Sequence, residues 1–537
     1  MDSESRISLK LFLTFFIIYF FFIHWGGWYE NSIFALTRAI VDETRFQIDS
    51  YANQTSDRAF YNGHYYTEKA PGTSILGVPV YWTTKVFLHS LNLDSKFPPG
   101  NQTITFNIRP TVVLITQANP GIVVLISMIL FTLFTSTLFS ALTIVLIFKI
   151  SRFFTNNTNL RIFVAFIYGL ASLAFSYGTV LNTLAVGTFF SLFSFFFILK
   201  ITKNKDFKRT NYFIVGFLFC LAFVFEFSTI IISICLFFYF VSNKIKSNIF
   251  IIIGFLIPFL LFILFNYSIL GKIDLISKYE DRQIFSTVPN LVFNSYGFLP
   301  PSIHVTYQIL FGSYRGLLFY FPIFYFSLIG LYYFFKTNRR DAILIFITFL
   351  SFVVFTSSRI TWHGGYTFGP RYLLPMTPFL MVPLIFSIKK IKNFLIVSIF
   401  ILFLVYSIIV NFAGLQQLED VIIDQKTFLI SDFYQQKINN FQPLENPLFG
   451  YYFRVFLSYG PRSRILENLL NGRFDIDIRD VQVPYYRLLE INKVFIPYIS
   501  FLPIIALFLI FWRREILNLT KSFMLSRNRP EISKSGF

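Results

Sequence analysis

Long, uninterrupted apolar runs recur along the chain, separated by short polar or basic segments. They occupy residues 11–25, 121–150, 162–179, 184–199, 212–225, 227–241, 249–267, 317–335, 342–356, 372–388, 394–411 and 494–512. Most approach the roughly 20 apolar residues that a helix needs to cross a bilayer, whereas a membrane β-barrel shows short alternating segments. The pattern predicts an all-α polytopic membrane protein with about 12 transmembrane helices.

Between these runs the basic residues gather at Lys149/Arg152/Arg161, Lys200/Lys203/Lys205/Lys208/Arg209, Lys244/Lys246, Lys336/Arg339/Arg340, Lys389/Lys390/Lys392 and Arg513/Arg514. Lysine and arginine collect in short cytoplasmic loops, and with these spans every cluster falls on one face, which makes both termini cytoplasmic. The same rule makes 212–241 a hairpin of two short spans turning near Glu226, because one crossing would put neighbouring basic loops on opposite faces. It also makes 73–91 a helix lying on the membrane surface. No small-residue cleavage site follows the first run, and Trp25 and Trp28 read as interfacial anchors, so that run is a retained span.

The chain then divides into a first transmembrane helix (1–28), a long external loop with juxtamembrane helices (29–120), a helical bundle (121–412), a second external loop (413–493), a last span (494–512) and a basic cytoplasmic tail (513–537). The segment 268–313 is also external. The expected location is the plasma membrane.

Composition narrows the class further. A chain that is 55% hydrophobic with 76 phenylalanines is too apolar for a soluble globular protein. Its net charge of +19 follows from loop topology and does not point to a nucleic-acid partner. The only cysteines, Cys220 and Cys235, lie inside apolar runs and exclude an external disulfide scaffold. Asn53-Gln54-Thr55 and Asn101-Gln102-Thr103 fit the glycosylation pattern, a tripeptide that chance often supplies.

Chemistry concentrates in the first external loop. Asp42 and Glu43 are adjacent carboxylates directly after an apolar helix-like stretch, a position suited to deprotonating a hydroxyl or binding a divalent ion, and equally to ending a helix with solvated charge. Downstream, Tyr61-Asn62-Gly63-His64-Tyr65-Tyr66-Thr67-Glu68-Lys69-Ala70-Pro71-Gly72 combines a turn, a tyrosine cluster and a lysine before Pro-Gly. It leads into an amphipathic segment containing Tyr81-Trp82, and a lysine at a membrane surface suits a lipid phosphate.

In these residues the chain resembles the polyprenyl-phosphate-dependent glycosyltransferases of the GT-C fold, especially the protein mannosyltransferases and the aminoarabinose transferase that modifies lipid A. There Asp-Glu-Thr-Arg-Tyr in the first loop is followed by Lys-Pro and then a Tyr-Trp pair; here the order is Asp42-Glu43-Thr44-Arg45-Phe46, Lys69-Ala70-Pro71 and Tyr81-Trp82. The lysine is followed by Ala-Pro-Gly, and Gly63-His64-Tyr65-Tyr66 differs from the aminoarabinose enzymes, so acceptor identity does not carry over. The resemblance implies a GT-C-like fold and a polyprenyl-phosphate sugar donor. It also implies that Asp42 is the acceptor base or an organiser of the donor phosphate, that Glu43 is its partner and that Lys69 binds the phosphate. Some members of the family use a divalent ion, which Asp42 and Glu43 would hold.

Later segments offer further candidates. The loop from Arg359 to Tyr372 carries Trp362, His363, Gly364 and Gly365, and Arg371 stands at the mouth of the next span, as a bidentate phosphate ligand or as a snorkelling side chain. Arg315, in Ser313-Tyr314-Arg315-Gly316, has the same two readings. Glu226 is the sole charged side chain in an apolar hairpin and should meet a polar cavity or a buried cation. His64 and His363, like Tyr65 and Tyr66, are substrate contacts or hydrogen-bonding loop residues, since the five histidines show no metal-ligand spacing.

The function expected from the sequence is transfer of a hexose or pentose from a polyprenyl-phosphate donor to a protein, lipid or glycan acceptor on the external face. The rival is a transporter or flippase of a lipid-linked glycan, whose key charges would lie near mid-membrane.

Overall fold

The computed structural model describes residues 2–25, 27–96, 100–108, 111–119, 121–242, 248–280, 297–359, 361–365, 367–415, 446–453, 456–457, 463, 465, 505–506, 508–513 and 515. Most of the expected loop 413–493, much of the expected span 494–512 and nearly all of the tail lie outside them.

The chain opens with α1 (Ser3–Phe21), which buries Leu11, Phe15 and Tyr19, and continues after a short break into α2 (Trp28–Glu43). Two short strands follow, β1 (Arg58–Tyr61) and β2 (His64–Thr67), paired antiparallel. Their turn residues, Asn62 and Gly63, have φ of 50° and 85°, the left-handed pair that an Asn-Gly hairpin turn requires. Then α3 (Pro71–Ser90) starts with proline in its first turn, where no helical partner for its nitrogen is needed.

Helices α2 and α3 lie side by side, because the Thr37 and Ser74 hydroxyls donate to the Ser74 and Ile33 carbonyls at 2.9 and 2.8 Å. The outer face of α3 leaves Ile75, Trp82, Val86 and Phe87 exposed, an apolar surface suited to lipid. Trp25, expected at the interface, is buried with Ile33, Phe34 and Tyr81, whereas Trp28 is exposed. A second hairpin, within the expected external loop, pairs Gly100–Ile108 with Thr111–Asn119; runs such as Thr103-Ile104-Thr105 and Val112-Val113 favour strand.

Among the described residues six helices are long and apolar enough to cross a membrane: Gly121–Ser151, Thr183–Asn204, Ile249–Leu270, Arg339–Ser358, Arg371–Lys390 and Phe394–Gly414. Shorter apolar helices cover Thr158–Leu170, Arg209–Phe225, Phe227–Val241 and Ile323–Thr337. The chain is a polytopic helical membrane protein. Two expected spans are interrupted: 162–179 breaks at Ala171, after which Ser172 caps a new short helix, and 317–335 breaks before Pro322. Apolar side chains of Asn248–Leu270 and Phe394–Gly414, among them Leu260, Leu261, Leu264, Leu395 and Leu402, point outward as a lipid-facing surface.

The two ends of the bundle differ in charge. At one end Glu4 pairs with Arg152 and Arg161 at 2.6 Å, Lys10 pairs with Glu515 at 2.6 Å, Lys203 pairs with Asp341 at 2.5 Å, and Lys389 donates to the Phe154 carbonyl. Helix Thr183–Asn204 runs from this end to the other, and its length from Thr183 to Lys203 is roughly 30 Å, the thickness of a hydrocarbon core. At the far end the helix Arg209–Phe225 stops at Glu226, and a 3₁₀ turn, Phe227–Thr229, leads into Ile230–Ser242. Segments expected to be external meet there too: Ala59 of β1 bridges to Glu280, and the Tyr61 hydroxyl donates to the Leu270 carbonyl at 3.1 Å.

Candidate active site: two cations on one tyrosine ring

Tyr29 is the second residue of α2, and its ring is the meeting point of two distant cations. The Lys69 ammonium lies 4.6 Å from the ring centroid and the Arg371 guanidinium 4.9 Å. Both distances are within the range of cation–π attraction.

Each cation is placed by its own local structure. Lys69 stands in the short link between β2 and α3, where its backbone N–H donates to the Thr67 hydroxyl at 3.2 Å and that hydroxyl is 2.8 Å from the Ser32 hydroxyl of α2. Arg371 opens a ten-residue 3₁₀ stretch, Arg371–Leu380, in which Pro375 and Pro378 prevent a regular α-helix. The loop before it passes close to the arginine at Gly364, whose φ is +81° and where an added Cβ would come 3.0 Å from both Cγ and Nε of Arg371. Only glycine combines that backbone with that approach.

Arg315 holds this loop from the other side. It is fully buried and donates to the carbonyls of His363 and Gly365 at 2.9 and 3.1 Å. Its guanidinium also donates to the Tyr314 carbonyl at 3.4 Å and lies 3.5 Å from the Tyr314 hydroxyl, contacts that fix the loop. The His363 ring accepts the Gly365 N–H at 2.9 Å, so this histidine also shapes the loop.

Carboxylates surround the cations. Lys69 pairs with Asp57 at 2.8 Å and with Glu68. Burial lowers the lysine pKa, but Asp57, joined by Glu68 once that carboxyl ionises, outweighs it and holds the ammonium well above the usual lysine range. Glu68 itself is pushed by burial up to about 8, against the pull of Lys69. Glu30, next to Tyr29 in α2, is buried and one of its carboxylate oxygens has no hydrogen-bond partner. Burial, with Asp57, raises it to about 7 against the attraction of Arg371.

Arg371 has its own orphan: its Nε is buried without a partner. Its Nη2 lies 3.5 Å from the Tyr372 hydroxyl, which Arg359 also approaches at 3.3 Å. Glu226, at the turn of the apolar hairpin, accepts from the hydroxyls of Thr183 and Ser228, and the Thr183 oxygen is hydrogen-bonded to the Tyr29 hydroxyl. Glu226 is thereby joined to the site through Thr183.

Asp42 belongs to a different cluster. One of its oxygens accepts from Tyr51 and Tyr81 at 3.1 and 2.9 Å, the other from Lys85 of α3 at 2.7 Å, and Arg38 stands 3.9 Å away. Asp42 and Glu30 are at opposite ends of α2, a rise of roughly 18 Å along the axis. Glu43 turns aside to pair with Arg45 at 2.6 Å. The two acids therefore face different partners. Among the described residues no group of three or more His, Cys, Asp or Glu is gathered as a metal site.

The hairpin residues stand to one side of the cations. His64 is exposed and 2.8 Å from Asp49, Tyr65 stacks under Arg58 at 4.2 Å, and Tyr66 is buried in the hairpin's own small core. Lys69 and Arg371 stand out in the sequence and Arg359 and Tyr372 bound the loop that precedes the span, whereas Tyr29, Glu30 and Asp57 do not stand out. Glu30 carried a usable signal: it is a carboxylate just beyond the first apolar run, the argument applied to Asp42.

No family model and no curated protein matches the chain. Among solved structures it is similar to the crystal structure of ArnT from Cupriavidus metallidurans in the apo state, with a TM-score of 0.46 and 12% identity over 88% of this chain and 73% of that one. It is also similar to the crystal structure of ArnT from the same organism bound to undecaprenyl phosphate, with a TM-score of 0.44 and 11% identity over 90% of this chain and 75% of that one. At this distance no residue role passes from that protein to this chain.

Proposed function

We propose that the chain is a GT-C-like membrane glycosyltransferase that takes a hexose or pentose from a polyprenyl-phosphate donor at the site around Tyr29. The observation that carries this reading is the pairing of Lys69 and Arg371 over one half-buried ring, with an unpartnered Arg371 nitrogen and a buried carboxylate, Glu30, on the residue after Tyr29. Asp57 offsets the charge of Lys69, among the described residues no carboxylate pairs with Arg371, and a phosphate meets both guanidinium and ammonium.

The chemistry follows from the charge that develops. The acceptor hydroxyl oxygen attacks the anomeric carbon, the bond from that carbon to the phosphate oxygen breaks, and its electron pair leaves with the phosphate. The departing polyprenyl phosphate gains negative charge, which Lys69 and Arg371 stabilise. The hydroxyl proton goes to a carboxylate. Glu30 takes that base role in place of Asp42, because Asp42 is engaged by Lys85 and two tyrosines at the far end of α2. No step of this mechanism is routed through a divalent ion.

The site lies at the end of the bundle opposite the basic clusters, in keeping with an external active site in the plasma membrane and cytoplasmic termini. The exposed apolar face of α3, which begins two residues after Lys69, offers a surface along which the prenyl tail remains in lipid. The acceptor is a protein, lipid or glycan reaching the site from outside. A lipid-linked glycan flippase would carry its charges within spans; here Lys69 precedes a helix, Glu226 joins two, and Arg371 begins a 3₁₀ stretch.

The test is release of polyprenyl phosphate from a radiolabelled polyprenyl-phosphate sugar by the purified full chain, with Lys69→Ala and Arg371→Ala as controls. Release that depends on both residues supports the reading; movement of the intact lipid across vesicles without release overturns it.

A further inference from the structure

Tyr29 bonds its hydroxyl away from the two cations, and the direction of that bond is set by what lies behind it. The Thr183 hydroxyl donates its one proton to Glu226, so its oxygen must accept from the Tyr29 hydroxyl. The other Glu226 oxygen accepts the Ser228 hydroxyl at 2.8 Å and the Ser228 N–H at 3.3 Å. Tyr29, Thr183 and Glu226 form a one-way chain of donors ending on a fixed carboxylate.

The fold makes room for this chain. Glu226 sits where one helix stops and a 3₁₀ turn starts, and Thr183 is the buried first residue of the helix Thr183–Asn204. Opposite Glu226 stands Gly187, where an added Cβ would lie 2.5 Å from the Glu226 Cβ. Any larger residue there would push the carboxylate off Thr183.

Resting on the donor-phosphate reading above, we propose that Glu226 is a positioning residue: through Thr183 it fixes and polarises the Tyr29 ring so that Lys69 and Arg371 are held together toward one phosphate. A phenol whose proton is drawn toward an acceptor has a more electron-rich ring, and hydrogen bonds in series strengthen one another. The ring then attracts both cations more strongly and offsets part of their mutual repulsion. Glu226 acts on the donor without touching it, and its effect belongs to binding more than to the chemical step.

The experiment titrates the full chain in detergent with farnesyl phosphate, with turnover measured in parallel. Glu226→Ala and Thr183→Val are each expected to weaken farnesyl phosphate binding and raise the donor KM about 5- to 10-fold, with kcat within about twofold. Tyr29→Phe, which keeps the ring and loses the hydroxyl, should match Thr183→Val. Because the groups act in series, the Glu226→Ala/Thr183→Val double variant should bind no worse than either single one. Thr183→Ser, which keeps the hydroxyl, should bind as the unaltered chain does, separating the hydrogen-bond chain from general damage to the fold. Losses that multiply in the double variant, or a fall in kcat at unchanged KM for Glu226→Ala, overturn the proposal. Farnesyl phosphate binding that survives Lys69→Ala removes the phosphate site itself and this proposal with it; binding that needs Lys69 but ignores Glu226 removes the positioning role alone.

Discussion

Glu30 and Asp42 stand at opposite ends of one helix, roughly 18 Å apart along its axis, and their surroundings are opposite in kind. Glu30 is buried with one oxygen unpartnered near Arg371, whereas Asp42 is bonded to two phenols and a lysine. A carboxylate whose oxygens are already taken by Lys85 and two phenols is not free to receive a hydroxyl proton, so the two acids should separate cleanly on substitution. Glu30→Gln is expected to lower kcat for sugar transfer by about 10²-fold or more, the usual contribution of a general base. Asp42→Asn should keep kcat within about threefold while lowering the melting midpoint, because it removes an ion pair and leaves Lys85 without its partner. Steady-state turnover of both purified variants checks this; a dead Asp42→Asn beside an active Glu30→Gln would reverse the assignment.

The features that could be read from the chain were those whose signal is local. Apolar runs announced the bundle, and a turn near Glu226 followed from where the basic loops had to lie. Lys69 before Pro-Gly and Arg371 after a glycine-rich loop are unusual placements for charge, and the structure brings them onto one ring. Asp42 and Glu43 looked equally unusual, but adjacent acids at a helix end read the same whether they are free or already paired. Asp42 is paired by Tyr81 and Lys85, one turn apart on α3, a relation that exists only once α2 and α3 pack. Glu30 was obscured by its neighbours Trp28 and Tyr29, and its importance depends on Arg371 arriving from far along the chain.

Gly364 sets how closely the loop can lie on Arg371. With φ at +81° and only 3.0 Å between a notional Cβ and the arginine side chain, Gly364→Ala is strained in its backbone and crowds its neighbour. The substitution is expected to cost about 1–2 kcal/mol of stability and to raise the donor KM about 10-fold by displacing the guanidinium. Thermal unfolding in detergent with donor kinetics measures both. A normal KM would show that the arginine tolerates a different loop path.

Arg315 fixes the same loop through two backbone carbonyls, so its removal should be felt at Arg371 without any direct contact with substrate. Arg315→Met fills a similar volume but leaves buried carbonyls unsatisfied, an expected loss of about 3 kcal/mol. The donor KM should rise together with the fall in melting midpoint. If stability falls and KM stays put, the loop does not position Arg371.

The raised carboxyls give the protein a defined response to pH. Burial lifts Glu30 to about 7 and Glu68 to about 8, both above the ordinary 4.5. In the unfolded chain these groups lose their protons near 4.5, so between that value and the raised ones the folded state binds more protons and stability declines as pH rises. Their stabilising contribution is complete below 4.5 and is gone above about 8. Turnover runs the other way, because a base must be ionised: kcat should rise with pH through about 7, and Glu30→Gln should flatten that limb. Above about 8, ionised Glu68 places a further negative charge beside Lys69, so the donor KM should increase, and Glu68→Gln should abolish that increase. Profiles of kcat and KM from pH 5.5 to 9.5 for the unaltered chain and both variants test this; a Glu30→Gln chain that keeps the rising limb would assign the titrating base to another residue.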